Sequence, residues 1–302
     1  MIGRIWRALV RGMEWHWSHV CWSTADAPSS TREVLSLQPQ DRYHAKQGRS
    51  TGRWVLGSGK RTLRVFIKRH HELPWRLRLA ATLWPKAGWS PSWHEYRQLD
   101  WARQKGIAVP EPIAVGEQIG PGFRLQSYLA VAELSGMIPL HEAVGLAART
   151  LEPTAFVSWK RSCIREMAIM VRRLHGHFRY HKDLYLCHFF VEPPSKHRGE
   201  VTSGSLHLID LHRMREHRFL GWYFRIKDLA QLLYSTAEVP EIDDRDRLRF
   251  LRTYCGGKIS RWLLAAVMAK AHRYLRHNRK ARTPFPSSVL LGTSRATKAR
   301  SA

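Results

Sequence analysis

The stretch YHKDLYLCHFFVE, Tyr180 to Glu192, sets Asp183 directly before a run of aromatic and β-branched residues. A carboxylate in a turn ahead of a buried strand has a rigid mount at a cleft edge, as a general base requires. A second aspartate, Asp210, closes the apolar run in LHLIDLHR, Leu206 to Arg213. Upstream, Lys68 ends the strand-like VFIK and Glu95 stands inside WHEYRQL, which reads as helix. A lysine for phosphate oxygens, a glutamate to hold it, an aspartate to orient a hydroxyl and take its proton, and an aspartate to hold a metal ion are the equipment of phosphoryl transfer. Taken singly each residue has a plainer reading: edge-strand lysine, solvated helix charge, turn residue, helix cap. Their order along the chain carries the weight.

These side chains need elements to position them. From Gly48 to Lys68 the pattern has period two, so Arg53 to Leu56 and Arg61 to Lys68 read as strands joined by the turn GSGK, Gly57 to Lys60. GSGK is not a phosphate loop, because that motif needs GxxxxGK[ST] before a helix and here a strand follows. Ser90 to Lys105 reads as a helix, with Ser90 as its cap, Pro91 in its first turn and Gly106 after its end. SYLAVAEL, Ser127 to Leu134, reads as a strand running into a connector. Thr154 to His175 reads as a long amphipathic helix with Phe156, Ile164, Met167, Val171 and Leu174 inward. A strand at His188 to Val191, a polar loop, a strand at Leu206 to Asp210 and helices from Asp228 onward complete the pattern.

Strands with one helix, a connector, and then mostly helices predict an α+β, two-lobed chain. It has a small β-rich N-lobe, a larger helical C-lobe and a ligand cleft between them. The lobes are expected over residues 46–131 and 132–285, with an N-terminal extension and linker over 1–45 and a basic tail over 286–302. The opening segment MIGRIWRALVRGMEWHWSHVCW has helical periodicity, with Ile2, Ile5, Trp6, Leu9, Val10, Met13 and Trp17 on one face and Arg4, Arg7 and Arg11 on another. That pattern suits a helix lying in a membrane interface and equally one docked on its own domain. Thr24 to Arg42 reads as a polar linker.

Composition narrows the partners. Lys and Arg number 50 against 24 Asp and Glu, a formal net charge of +26 over 302 residues. Such a chain favours anionic partners. No zinc finger, RNA-recognition signature or helix-turn-helix pattern points to a specific nucleic acid. The four cysteines are scattered with no CxxC pair, which argues against a zinc or redox site and fits a reducing cytoplasm. No apolar run approaches the ~20 residues of a membrane span.

VFIK resembles the V-A-I-K of protein kinases, and HKD (His181 to Asp183) resembles their H-R-D. Two features depart from that pattern. His188 stands where asparagine is usual, and the metal-site tripeptide is DLH, Asp210 to His212. Only about seventeen residues separate Asp210 from Asp228, which leaves no room for a long activation loop and points away from a peptide acceptor. DLYLCHFFV (Asp183 to Val191), LIDLHR (Leu208 to Arg213), TLRVFIKRH (Thr62 to His70), WHEYRQLDWARQKGI (Trp93 to Ile107) and KDLAQLLYST (Lys227 to Thr236) resemble the lipopolysaccharide kinases, which phosphorylate inner-core heptose or Kdo. The similarity runs from about Gln47 to Tyr254.

That resemblance implies ATP and magnesium. It implies Lys68 as the phosphate lysine, Glu95 as its partner, Asp183 as the base, and Asp210 with His188 on the metal side. Gly48 and Gly52, in KQGRSTGR, would stand in for the glycine-rich loop, and Glu133 in the connector would contact the nucleotide. His181 would be a buried organiser of the loop and Lys182 a positive group near the transferred phosphate. The implied partner is an anionic glycolipid acceptor, met by a cytoplasmic enzyme peripheral on the inner membrane. Another small-molecule or protein acceptor, or a catalytically silent scaffold, remain the alternatives.

Overall fold

A computed structural model describes residues 2–281 apart from 26, 39–40, 47, 58, 60–61 and 195–203. The tail expected over 286–302, and most of the polar loop after Glu192, therefore lie outside the described residues. The chain opens with α1 (Ile2–Val10), β1 (Met13–Ser18), the short helices α2 (Val20–Thr24) and α3 (Thr31–Ser36), and the strands β2 (Asp41–Lys46), β3 (Arg49–Leu56) and β4 (Leu63–His70). Next come α4 (Trp75–Leu83), α5 (Pro91–Gln104), β5 (Pro112–Gly120) and β6 (Arg124–Ala132). The strands from β1 to β6 form one six-stranded antiparallel sheet in the order β1-β5-β6-β4-β3-β2. Past the connector stand β7 (Ile138–Pro139), α6 (Leu140–Thr150), α7 (Pro153–Gly176) and β8 (Arg179–Tyr180). The rest is β9 (Phe189–Val191), β10 (Leu206–Leu208), β11 (Arg215–Glu216), α8 (Gly221–Ser235), α9 (Asp244–Cys255) and α10 (Arg261–Ala281). This is the expected α+β, two-lobed, protein-kinase-like arrangement.

The site-bearing elements follow their sequence signals. β3 and β4 pair antiparallel from Arg49↔His70 to Leu56↔Leu63; the turn expected at GSGK between them lies partly outside the described residues. Along β4, Val65 and Ile67 are fully buried on one face, so Phe66 and Lys68 point to the other. α5 starts where Ser90 accepts a hydrogen bond from the Trp93 N–H at 3.4 Å, with proline in its first turn. A large core runs from Leu99 and Val115 through Leu129 into α7, β9 and α8, including Val171, Phe189 and Leu229. The two lobes thus share one apolar core. Burying several such side chains, at about 1.5–3 kcal/mol each, sets the lobes' relative position more firmly than any surface ion pair could.

Two expectations at the N-terminus are corrected. The helix predicted over the opening segment ends at Val10, and Gly12, with φ of 80°, turns the chain into β1. β1 pairs with β5 from Met13↔Ile119 to Ser18↔Ala114, which joins residues 13–18 to the sheet and not to a separate extension. A Cβ at residue 12 would sit 3.0 Å from the Ile119 carbonyl oxygen, so only glycine suits this close turn. Met13 and Trp17 fit a helical period by accident of spacing, while Met13, Trp15 and Trp17 also fit period two, and sheet pairing selects the second. The segment expected as a linker contains α3, capped by Ser30, with Val34 fully buried. The helices α4 and α6 had no forecast.

Candidate active site

Lys68 projects from β4 between two carboxylates. Its Nζ lies 2.6 Å from Glu95 Oε1 and 3.1 Å from Asp210 Oδ1. Burial works against its charge, but Glu95 and then Asp210 outweigh it and hold its pKa above the ordinary lysine value. Asp210 shows the mirror effect: burial would raise its pKa, but Lys68 and then His212 hold it well below the usual carboxylate range. The carboxylate is therefore charged at neutral pH. It sits at a left-handed φ of 64°, and its Oδ1 also meets His212 Nδ1 at 2.8 Å. Such a backbone is costly for a non-glycine residue and recurs at functional sites.

The loop carrying Asp183 is built on a buried aspartate. Asp228, fully buried in α8, accepts the N–H groups of His181 at 2.7 Å and Lys182 at 2.8 Å. Lys182 needs that support because its φ is 70°. Asp228 also meets His175 Nε2 at 3.2 Å, and His175 Nδ1 meets the Tyr254 hydroxyl at 2.8 Å. His181 is fully buried, and its Nε2 lies 3.0 Å from the Ile209 carbonyl; the Ile209 N–H donates to the His188 carbonyl at 2.9 Å. The Asp183 loop and the Asp210 segment are thereby tied together. Lys182 turns its Nζ to 4.9 Å over the Phe224 ring.

His188 Nδ1 is 2.8 Å from the Asp183 carbonyl oxygen, which can only accept, so Nδ1–H donates. The Nε2 lone pair is left facing Asp210 Oδ2 at 3.9 Å, too long for a direct hydrogen bond. Burial lowers the His188 pKa to about 4, so the ring is neutral and can act as a ligand. Among the described residues no set of three or more His, Cys, Asp or Glu side chains is arranged to hold a metal alone. An anionic Asp210 and a neutral His188 nitrogen facing it fit a divalent ion shared with phosphate oxygens and water, although imidazole is a weak ligand for magnesium.

The other predicted residues are placed less centrally. Gly48, with φ of 70°, forms the β2–β3 turn, where its carbonyl accepts from the His71 and Glu72 N–H groups at 2.8 and 3.3 Å. Gly52 lies inside β3 opposite Ile67, while Thr51 is the residue opposite Lys68 and shares its face. Glu133 closes β6 against β4 through its N–H to the Arg64 carbonyl at 3.0 Å. Its Oε1 forms an ion pair with Arg53 Nε at 2.9 Å, and its Oε2 is buried without a protein partner.

Two contacts had no sequence forecast. One guanidinium nitrogen of Arg213 bridges both Asp183 oxygens, at 2.9 and 2.8 Å. Lys227 Nζ donates to the Lys182 carbonyl at 2.6 Å, beside Asp183. Lys227 immediately precedes the buried Asp228, and that adjacency was the available signal. Nothing local to Arg213 points thirty residues back to Asp183.

Comparisons with known proteins identify the family. The description "Lipopolysaccharide kinase (Kdo/WaaP) family" matches residues 49–254. The lipopolysaccharide core heptose(I) kinase WaaP of Pseudomonas aeruginosa strain PAO1 is 31% identical over 210 residues, 65% of this chain and 74% of that protein. The WaaP of Escherichia coli is 28% identical over 193 residues, 62% of this chain and 69% of that protein. A solved structure of WaaP in complex with acyl carrier protein shares the fold, with a TM-score of 0.59 and 24% identity across 89% of this chain and 98% of that one. With the family match spanning most of its length, the chain belongs to the lipopolysaccharide kinase (Kdo/WaaP) family, and with it to the sugar phosphotransferases.

Proposed function

We propose that the protein transfers the γ-phosphate of ATP, with magnesium, to a hydroxyl of an inner-core heptose or Kdo at the cytoplasmic face of the membrane. The observation that carries this is Lys68 held between Glu95 and Asp210, with the Asp183 loop stitched to the same segment. In this reading Lys68 holds non-transferring phosphate oxygens in place, and Glu95 keeps it from swinging away. Asp210 and His188 would hold the magnesium ion, which supplies positive charge against the phosphate oxygens. Glu133, at the start of the connector and ion-paired with Arg53, would border the nucleotide. Asp183 orients the sugar hydroxyl and takes its proton as the new O–P bond forms and the bond from γ-phosphorus to the β-phosphate oxygen breaks.

Arg213 spans Asp183 before the acceptor arrives. Its guanidinium is half exposed and can exchange to an acceptor carboxylate or phosphate, freeing the base. An open groove of about 810 Å³ reaches Tyr180, close in sequence to Asp183, and offers Arg172, Arg218 and Lys258 with Phe219, Trp222 and Trp262. Cations beside aromatic faces suit an anionic glycan. An acyl carrier protein, the partner in the solved WaaP complex, enters as a candidate partner here too. The test is labelled γ-phosphate transfer from Mg-ATP to underphosphorylated lipopolysaccharide, with wild type and Asp183→Asn side by side. Label on the glycan with wild type alone is expected. Tight nucleotide binding with no labelled glycan would move the search to other acceptors.

A further inference from the structure

The helices α1 and α4 are folded with their largest apolar side chains outward. In α1 the only buried residue is Ala8, while Ile2, Trp6 and Val10, spaced by four, are 85%, 55% and 53% exposed. In α4 the buried residues are Ala81 and Thr82, while Trp75, Leu79 and Leu83, again spaced by four, are 63%, 38% and 36% exposed. A helix that serves only its own domain turns such a stripe inward. The two helices touch, and Ala8 and Ala81 pack into one small cluster with Leu73, Ile119 and Leu125. The small residues hold the helices to the sheet, and both apolar stripes are left over.

Charge says what covers them. Arg4, Arg7 and Arg11 border the α1 stripe, Arg76 and Arg78 lie in α4, and neither helix contains an acidic residue. Arg11 lies 5.9 Å over the Trp6 ring and Arg76 5.5 Å over Trp75. A second copy of the chain would bring these arginines against their own equivalents, which repel. Tryptophan and aliphatic side chains beside arginine on exposed helix faces match the headgroup boundary of an anionic bilayer. No helix among the described residues is long and apolar enough to cross that bilayer.

We infer that α1 and α4 together are a membrane footing that takes an anionic lipid surface. The inference rests on the membrane-face reading above and names the surface that makes the contact. The footing is tied to the cleft. Glu117 of β5, fully buried, accepts the N–H groups of Gly88, Trp89 and Ser90 at 3.2, 3.4 and 2.7 Å, which fixes the connection from α4 to the helix carrying Glu95. A docked footing therefore sets the orientation of the cleft over the lipid.

The experiment is co-sedimentation of the full chain with vesicles of phosphatidylcholine alone or mixed with phosphatidylglycerol. The wild type is compared with Trp6→Ala/Trp75→Ala and with Arg4→Gln/Arg7→Gln/Arg76→Gln. The wild type should pellet with the mixed vesicles and not with phosphatidylcholine. Each variant should lose at least about tenfold in lipid affinity. Thermal unfolding of both variants should match the wild type, because all five side chains are exposed. Wild-type affinity retained in the tryptophan variant overturns the inference. So does binding indifferent to lipid charge, or a wild type that ignores vesicles and instead runs as a dimer or binds an acidic protein through this face. Phosphate transfer to detergent-solubilised acceptor is measured in parallel. Its absence in every protein would sink the kinase reading and leave a positive vesicle result standing.

Discussion

Asp228 and Asp183 lie at the two ends of one short network, and their surroundings are opposite. Asp228 is fully buried and its partners are two backbone N–H groups and a buried histidine. Asp183 is anchored only through its backbone, and its carboxylate meets one half-exposed guanidinium. Fixed donors make a carboxylate a structural post. A partner on a long, exposed side chain leaves a carboxylate free to change partners, as a base must. Asp210 stands between these cases: its lysine partner is firmly held, yet its second oxygen faces a neutral imidazole across 3.9 Å.

The sharpest break of that contrast is Asp228→Ala. It strips acceptors from the His181 and Lys182 N–H groups and from His175 in a site without water access, a loss of about 3–5 kcal/mol. The expected result is a large fall in the denaturation midpoint; a midpoint near wild type would show that the loop does not hang on this residue. Asp183→Asn should do the reverse. Turnover should fall by about 10²–10⁴ while nucleotide binding and the unfolding midpoint stay close to wild type. A variant with near-normal turnover would remove Asp183 from the role of base.

The pH dependence of stability sharpens the account of His188. Burial lowers its folded pKa to about 4, below the ordinary histidine value of 6.5. Between those values the unfolded chain takes the proton and the folded chain does not. Stability therefore falls as pH drops through that window, by about 2 kcal/mol at pH 5 from this group. His94, lowered to about 4 by burial and then by Arg215, adds in the same direction. Urea titrations at several pH values should show a shallower acid decline in His188→Gln than in the wild type. An unchanged slope would mean that the ring is not held neutral. The smallest effect is expected from Arg213→Ala. With its guanidinium half in solvent, stability should hardly move, while the acceptor KM rises by about tenfold and the KM for ATP does not. Equal changes in both would deny it a place at the acceptor.

Much of the machinery was legible because it lies in short local patterns. VFIK is a short run of strand-favouring residues that delivers Lys68 to one face of β4, Ser90 and Pro91 start the helix that carries Glu95, and HKD precedes a buried apolar run. Each is set by backbone periodicity or capping within a few residues. The order of Lys68, Glu95, Asp183 and Asp210 was thus readable from the chain itself, and so was the α+β, two-lobed plan.

Only the tertiary structure decided which charges meet. Lys68 reaches Asp210 across 142 positions, and Arg213 reaches Asp183 across thirty. No local signal encodes such pairs, because they depend on how strands and helices cross in space. The same holds at the N-terminus, where Met13 to Ser18 satisfied two periodicities and β5 chose between them. It holds for α1 and α4 as well. Periodicity identifies an apolar stripe, but only packing shows that alanines were used to dock the helices and that the tryptophans were left to solvent. Sequence patterns report what a segment can bury, and the neighbours it finds determine what it does bury.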